Sequence, residues 1–150
     1  MMQVLCPTPR DTETLGARLA ASLRPGDVIL LAGGLGAGKT LFTRGIATGL
    51  GVDELVVSPS FVLVREYRSG FMPVIHADVY RLTSMNEFDD LDVLEMSEEG
   101  VLIIEWGEAV ETALPADHLR IHFEVGDDES RTLSFVGEGD WSERDLSGVA

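Results

Sequence analysis

The run Gly33-Gly34-Leu35-Gly36-Ala37-Gly38-Lys39-Thr40 constrains this chain more than any other segment, because it fits the pattern G-x-x-x-x-G-K-[ST]. Its glycines allow backbone conformations and a close approach that a side chain would block, so successive N–H groups can turn toward an anion. The flanks agree with that use. Val28 to Ala32 is a continuous apolar run of the kind found in a buried parallel strand. After the loop, Phe42, Ile46 and Leu50 recur at helical spacing. Strand, glycine loop and helix together predict a nucleoside triphosphate whose phosphates lie at the helix N-terminus. Lys39 then reaches the β- and γ-phosphates and Thr40 supplies a hydroxyl to Mg2+, while Gly33, Leu35, Gly36, Ala37 and Gly38 form the cradle.

The rest of the chain reads as one α/β domain. A short strand is expected around Val4, and Leu15, Leu19 and Leu23 mark one face of a helix over Thr12 to Leu23. Gly51 stands where a helix C-terminal cap is expected. Phe61 to Tyr67 and Pro73 to Ala77 predict two strands joined by a turn at Ser69-Gly70. Ser84 and Glu87 have the spacing of a capping box and start a short helix. Val101 to Ile104 is a second buried strand ending at Glu105, and a helix over Glu108 to Leu114 is stopped by Pro115. Leu119 to Val125 and Arg131 to Val136 alternate as a hairpin around Gly126-Asp127-Asp128-Glu129. The expected organisation is a P-loop ATPase domain over residues 1–136, followed by a loose, flexible tail over 137–150, where the chain is polar and glycine-bearing.

Charge narrows the partners. Eleven basic residues against 26 acidic ones give a net charge of -15, which opposes attraction to the phosphate backbone of RNA or DNA and to anionic membranes. Tight tRNA binding by the chain alone is therefore not expected. Arg65 and Arg68 form the one visible basic cluster. Lys39 is the only lysine, so a chain that otherwise carries positive charge on arginine puts its one compact ammonium inside the glycine loop. The stretch from Glu87 to Glu99 is a run of carboxylates broken by Leu91, Leu94 and Met96, and reads first as a solvated face. A single cysteine, Cys6, forms no internal disulfide, and no apolar run approaches the roughly 18 to 20 residues that cross a bilayer. A cytoplasmic location is expected.

Two carboxylates complete the candidate site. Ligands of open α/β sheets gather at the carboxyl ends of strands, and both Asp78, closing Val74 to Ala77, and Glu105, closing Val101 to Ile104, fall there. One acid holds the metal or its waters and the other orients or activates the attacking water. Trp106 follows Glu105 directly and is placed near the nucleotide. His76 reads as a packed strand residue, and His118 and His122 have no nearby cysteine to form a metal cluster with.

Gly36-Ala37-Gly38-Lys39-Thr40, Ser58-Pro59-Ser60-Phe61, Glu66-Tyr67, His76-Ala77-Asp78-Val79-Tyr80-Arg81-Leu82 and Ile104-Glu105-Trp106, in this order and separation, resemble the TsaE family, formerly YjeE. The resemblance spans Thr12 to about Arg131. It implies an ATPase required for threonylcarbamoyl modification of tRNA adenosine, working with the proteins TsaB and TsaD. It further implies that Lys39 and Thr40 are the phosphate and magnesium residues, Glu105 the metal-associated acid and Asp78 the catalytic acid. Ser58, Pro59, Ser60 and Phe61 resemble the family's switch-like loop, and the segments around Thr12 and Arg131 are candidates for the adenine pocket. The chain departs from the family pattern at Gly34, Leu41, Ser60 and Gly107, where aspartate, threonine, threonine and proline are usual. At Leu41 any phosphate contact must come from the backbone N–H.

Other P-loop functions fit less well. A small kinase needs several arginines around the transferring phosphoryl group, often from a lid, and the chain has no arginine-rich lid. A regulatory GTPase needs an Asn-Lys-x-Asp segment, which a chain with one lysine in its P-loop cannot supply. A nucleotide sensor that does not hydrolyse differs from an ATPase only in turnover. The sequence therefore predicts a P-loop NTPase-like, three-layer α/β domain with a mostly parallel central sheet.

Overall fold

Thr8 opens the first helix, α1 (Pro9–Ala20), earlier than leucine spacing alone indicates. Its hydroxyl accepts the Asp11 N–H and the Asp11 carboxylate accepts the Thr8 N–H, a reciprocal cap with Pro9 preset for the first turn. The computed structural model describes residues 1–60 and 63–150. Within them the chain runs β1 (Met2–Cys6), α1, β2 (Val28–Ala32), α2 (Lys39–Gly49), β3 (Val64–Tyr67), β4 (Val74–Asp78), α3 (Met85–Asp90), α4 (Val93–Met96), β5 (Val101–Glu105), a 3-10 helix over Gly107–Ala113, β6 (His118–Val125) and β7 (Arg131–Glu138).

The strands form one sheet in the order β1-β7-β6-β2-β5-β4-β3. Strands β4, β5, β2 and β6 pair in parallel, whereas β7 and β3 run against their neighbours. Hairpin β6–β7 matches the one predicted from alternation, and β3 pairs with β4 across the predicted turn at Ser69-Gly70, although residues 61 and 62 of the predicted first strand lie outside the described residues. Side chains alternate between the two faces of the sheet. Ile29, Leu31, Val101 and Ile103 pack with Leu15, Leu19, Phe42 and Ile46 of α1 and α2. Val28, Ile75, Leu102 and Ile104 pack with Phe88, Val93 and Val110 on the other side. The result is the three-layer α/β arrangement that the sequence predicts.

α1 and α2 meet backbone to backbone. A Cβ on Gly45 would lie 2.0 Å from the Glu13 carbonyl oxygen, and one on Gly16 would lie 2.3 Å from that of Phe42. These two glycines let α2 sit close against α1 and so fix where the N-terminus of α2 stands over the sheet.

Residues 137–150 are not a loose tail. β7 extends to Glu138, and a 3-10 helix over Gly139–Glu143 buries Trp141, while Val149 is buried in the same core. Arg144 stacks 3.8 Å from the Trp141 ring centroid and gives two hydrogen bonds to Asp27, at 2.8 and 2.5 Å. A polar, glycine-bearing composition hid this docking, because one aromatic anchor and one ion pair leave no periodicity. Two smaller differences have local causes. The segment after Glu105 winds as a 3-10 helix rather than an α-helix, with the Cβ position of Gly107 pressed against Leu30. Ser84 caps α3 as predicted, but the Glu87 carboxylate reaches back to Thr83, at 3.0 Å from its N–H and 2.7 Å from its hydroxyl, rather than to the Ser84 N–H. Among the described residues no helix is long and apolar enough to cross a membrane.

The close helix crossing makes a test possible. Alanine favours a helix over glycine by about 1 kcal/mol, yet Gly45→Ala drives a methyl group into the Glu13 carbonyl and is expected to destabilise the protein by about 1 to 3 kcal/mol. The midpoint of urea unfolding measures it; an unchanged or raised midpoint contradicts the packing.

Candidate functional site

The glycine loop joins the end of β2 to the start of α2, so its geometry follows from both. Gly33 is held against β6, where a Cβ would lie 2.8 Å from the Phe123 carbonyl oxygen. Gly38, the residue before α2, has φ +102°, a conformation that favours glycine and that lets the chain turn directly into the helix. The first N–H groups of a helix have no intrahelical acceptor. In α2 the bond from Phe42 N–H to the Gly38 carbonyl, at 2.9 Å, is preceded by the N–H groups of Lys39, Thr40 and Leu41. Arg131 grips the outside of the loop: its guanidinium donates to the carbonyls of Ala37 and Gly36, each at 3.1 Å.

Four side chains converge at this helix start. Lys39 is buried, and its Nζ donates to the carbonyls of Gly33 at 2.6 Å and Gly34 at 3.1 Å. The Trp106 ring centroid lies 3.6 Å from the same ammonium. Burial pulls the Lys39 ammonium below the ordinary lysine range, and the charges of Glu105, Glu108 and Asp78 oppose that pull. The Thr40 hydroxyl is 3.1 and 3.0 Å from the two carboxylate oxygens of Glu105. A hydroxyl and a carboxylate meeting at the helix start are hard oxygen donors of the kind Mg2+ takes alongside phosphate oxygens and water. Among the described residues no three or more His, Cys, Asp or Glu side chains cluster as a metal site of their own.

Sheet register brings the second acid beside the first. Asp78 and Glu105 are paired at the carboxyl ends of parallel β4 and β5. Asp78 Oδ1 accepts the Tyr80 N–H at 2.9 Å, and Oδ2 accepts the Ser60 hydroxyl at 3.0 Å. Ser60 in turn shares a hydrogen bond with Ser58 at 2.7 Å. Ser58 and Ser60 of the switch-like segment are thus wired to Asp78, and Pro59 accepts the Leu63 N–H through its carbonyl. Phe61 lies outside the described residues. The loop from Leu35 to Leu41, with Ser58, Ser60, Asp78, Glu105 and Trp106, lines a single cleft of about 300 Å³.

Sequence reasoning missed one participant. His76, read as a packing residue, lies with its Nε2 2.5 Å from Glu105 Oε2. The signal was the H-x-D spacing, since two residues along a strand put His76 and Asp78 on one face. Tyr80 was quoted in the sequence pattern without a role; its ring packs 4.6 Å from that of Trp106. His118 hydrogen-bonds to Glu111 at 3.0 Å and to the Pro115 carbonyl at 2.8 Å, away from the cleft.

With this geometry in view, comparison with known proteins is decisive. The family described as "Threonylcarbamoyl adenosine biosynthesis protein TsaE" matches residues 6–133. The chain belongs to the TsaE family. It is 40% identical over 132 residues to the tRNA threonylcarbamoyladenosine biosynthesis protein TsaE of Bacillus subtilis, covering 87% of this chain and 82% of that one. It is 43% identical over 144 residues to the TsaE of Streptomyces coelicolor, covering 91% and 97%. The crystal structure of Bacillus subtilis YdiB superposes with a TM-score of 0.78 at 34% identity, over 93% of this chain and 86% of that chain. The family model and these relatives are all named for tRNA threonylcarbamoyladenosine biosynthesis.

Trp106 reports on the cleft. An anion that draws Lys39 off the Gly33 and Gly34 carbonyls also changes the contact between ammonium and indole. Addition of ATP with Mg2+ is therefore expected to change tryptophan emission in the native protein and in Trp141→Phe, and to leave Trp106→Phe unchanged. An undiminished response in Trp106→Phe contradicts the assignment.

Proposed function

We propose that this TsaE-family chain binds ATP with Mg2+ at the start of α2 and hydrolyses it, and that the nucleotide cycle acts on a complex of TsaB and TsaD. The observation that carries this reading is the meeting of Lys39, Thr40 and Glu105 at the end of a glycine loop whose N–H groups precede the first bond of the helix. In this reading those N–H groups and the helix dipole take up phosphate charge. Lys39 exchanges its two carbonyl acceptors for phosphate oxygens. Thr40 and Glu105 hold Mg2+, which when bound neutralises charge on the β- and γ-phosphates.

The partners of the two acids favour different roles. Glu105 is tied to Thr40 and His76 and stands on the metal side. Asp78 is tied to Ser60 and suits orientation or deprotonation of the attacking water. The link from Asp78 through Ser60 to Ser58 also gives the switch-like segment a means to respond to the γ-phosphate.

The base has a candidate place next to the phosphates. A smaller cavity of about 160 Å³ shares Gly36, Gly38 and Leu41 with the loop and is closed by Pro9 and Thr12 on one side and Glu129 and Arg131 on the other. Thr12 turns its Cγ2 methyl toward Gly38 on that side. Lys39 is the one cationic side chain among the described residues lining the main cleft. Kinases surround the transferred group with more positive charge, so hydrolysis fits better, and a chain acting alone should turn over slowly.

Four outcomes test the reading. Lys39→Ala and Thr40→Ala should abolish ATP hydrolysis while keeping the native circular dichroism spectrum; wild-type phosphate release from either folded variant contradicts it. Asp78→Asn should bind ATP normally and lose about 10²- to 10⁴-fold in turnover, and a parallel loss of affinity would show that Asp78 serves binding instead. Association with purified TsaB and TsaD should differ between ATP and ADP, as linkage requires. Binding to tRNA by the chain alone should be weak and fall further with salt; tight tRNA binding, or association indifferent to nucleotide, removes the partner model.

A further inference from the structure

His76 is fully buried in the middle of β4, a strand otherwise made of Val74, Ile75, Ala77 and Asp78. Its register partner on β5 is Ile103, two residues before Glu105. The imidazole therefore rises one step along the sheet face to put Nε2 2.5 Å from Glu105 Oε2. Nδ1 is buried with no hydrogen-bond partner. A leucine would occupy similar volume in this apolar strand without burying an unpartnered nitrogen. The bond to Glu105 is the contact that offsets that cost. It also sets the ring's role in the bond: with the Glu105 carboxylate accepting, Nε2 is the donor.

Glu105 is thus held from two sides, by Nε2 of His76 beneath it and by the hydroxyl of Thr40 above it. Glutamate has three side-chain torsions, and an unrestrained carboxylate at the end of a strand would sample several positions. We propose that His76 is a positioning residue that fixes the Glu105 carboxylate in the orientation needed to hold Mg2+ beside the nucleotide. The proposal rests on the Mg-ATP reading above. His76 touches neither nucleotide nor water in this scheme; it acts through Glu105, as hydrogen bonds to metal-holding carboxylates generally do.

The test separates this role from packing and from the parent reading. Binding of an ATP analogue with a β,γ-imido bridge is followed through tryptophan emission or calorimetry, without metal and across a Mg2+ titration, in the wild type, His76→Leu and His76→Gln. His76→Leu should need about 10- to 100-fold more Mg2+ for the same effect, the usual cost of losing such a support, while metal-free nucleotide affinity stays unchanged. His76→Gln, whose amide N–H can reach the position of Nε2, should recover most of the Mg2+ response. A normal Mg2+ requirement in His76→Leu overturns the proposal, and equal impairment of both variants overturns it in favour of packing. Absence of any Mg2+ effect in the wild type overturns the parent reading and this one with it. In case His76→Leu does not fold, nitrogen NMR of the wild-type protein gives an independent outcome: a proton on Nε2 supports the proposal, and a proton on Nδ1 alone overturns it.

Discussion

The contact between the Thr40 hydroxyl and the Glu105 carboxylate joins the start of α2 to the end of β5, and the geometry of the cleft depends on that junction. Each partner is fixed by backbone packing rather than by a mobile surface. Gly16 and Gly45 let α2 lie against α1, which sets the height of Thr40. Parallel register pairs Glu105 with Leu31 on one side and Asp78 on the other, which sets the height of both acids. Arg131 holds the outer carbonyls of the glycine loop, so the span between β2 and α2 is tied to β7 as well. A site built this way is preorganised, and a displacement of α2 would disturb cation, hydroxyl and acid together.

In the proposed reading, electrostatics favours a small anion over a polymeric one. The net charge of -15 repels extended phosphate backbones over the whole surface. Locally, the loop amides and one buried ammonium oppose that field within the cleft. Lys39 is held by two carbonyls and the Trp106 face, interactions that a polyphosphate can replace with better ones. Asp78 and Glu105 stand beside that charge without forming a direct ion pair with it, and in the proposed reading they await a metal and a water instead.

Much of this was legible in the sequence because it depends on local pattern. The glycine loop, its flanking strand and helix, the antiparallel pairs and the acids at strand ends follow from spacing and from the rule that ligands gather at carboxyl ends. The family match and the observed α/β layers agree with that reading. What was not legible depends on long-range contact. His76 looks like a packing residue until register puts it beneath Glu105, and the grip of Arg131 on the loop carbonyls shows only when the hairpin carries it there. Residues 137–150 read as a tail because their hold on the domain comes from Trp141, Val149 and the Asp27–Arg144 pair, all partnered far away in sequence. The amphipathic α1 was found, but its start needed the reciprocal cap of Thr8 and Asp11.

The most direct test of the central claim is a crystal structure grown with an imido-bridged ATP analogue and Mn2+, with the metal located by its anomalous signal. The account predicts the metal at the Thr40 hydroxyl and on the Glu105 side of the cleft, the β-phosphate on the loop N–H groups, and the Lys39 ammonium moved from the carbonyls of Gly33 and Gly34 onto phosphate oxygens. Nucleotide bound away from the glycine loop, or metal held without Thr40 and Glu105, would contradict it.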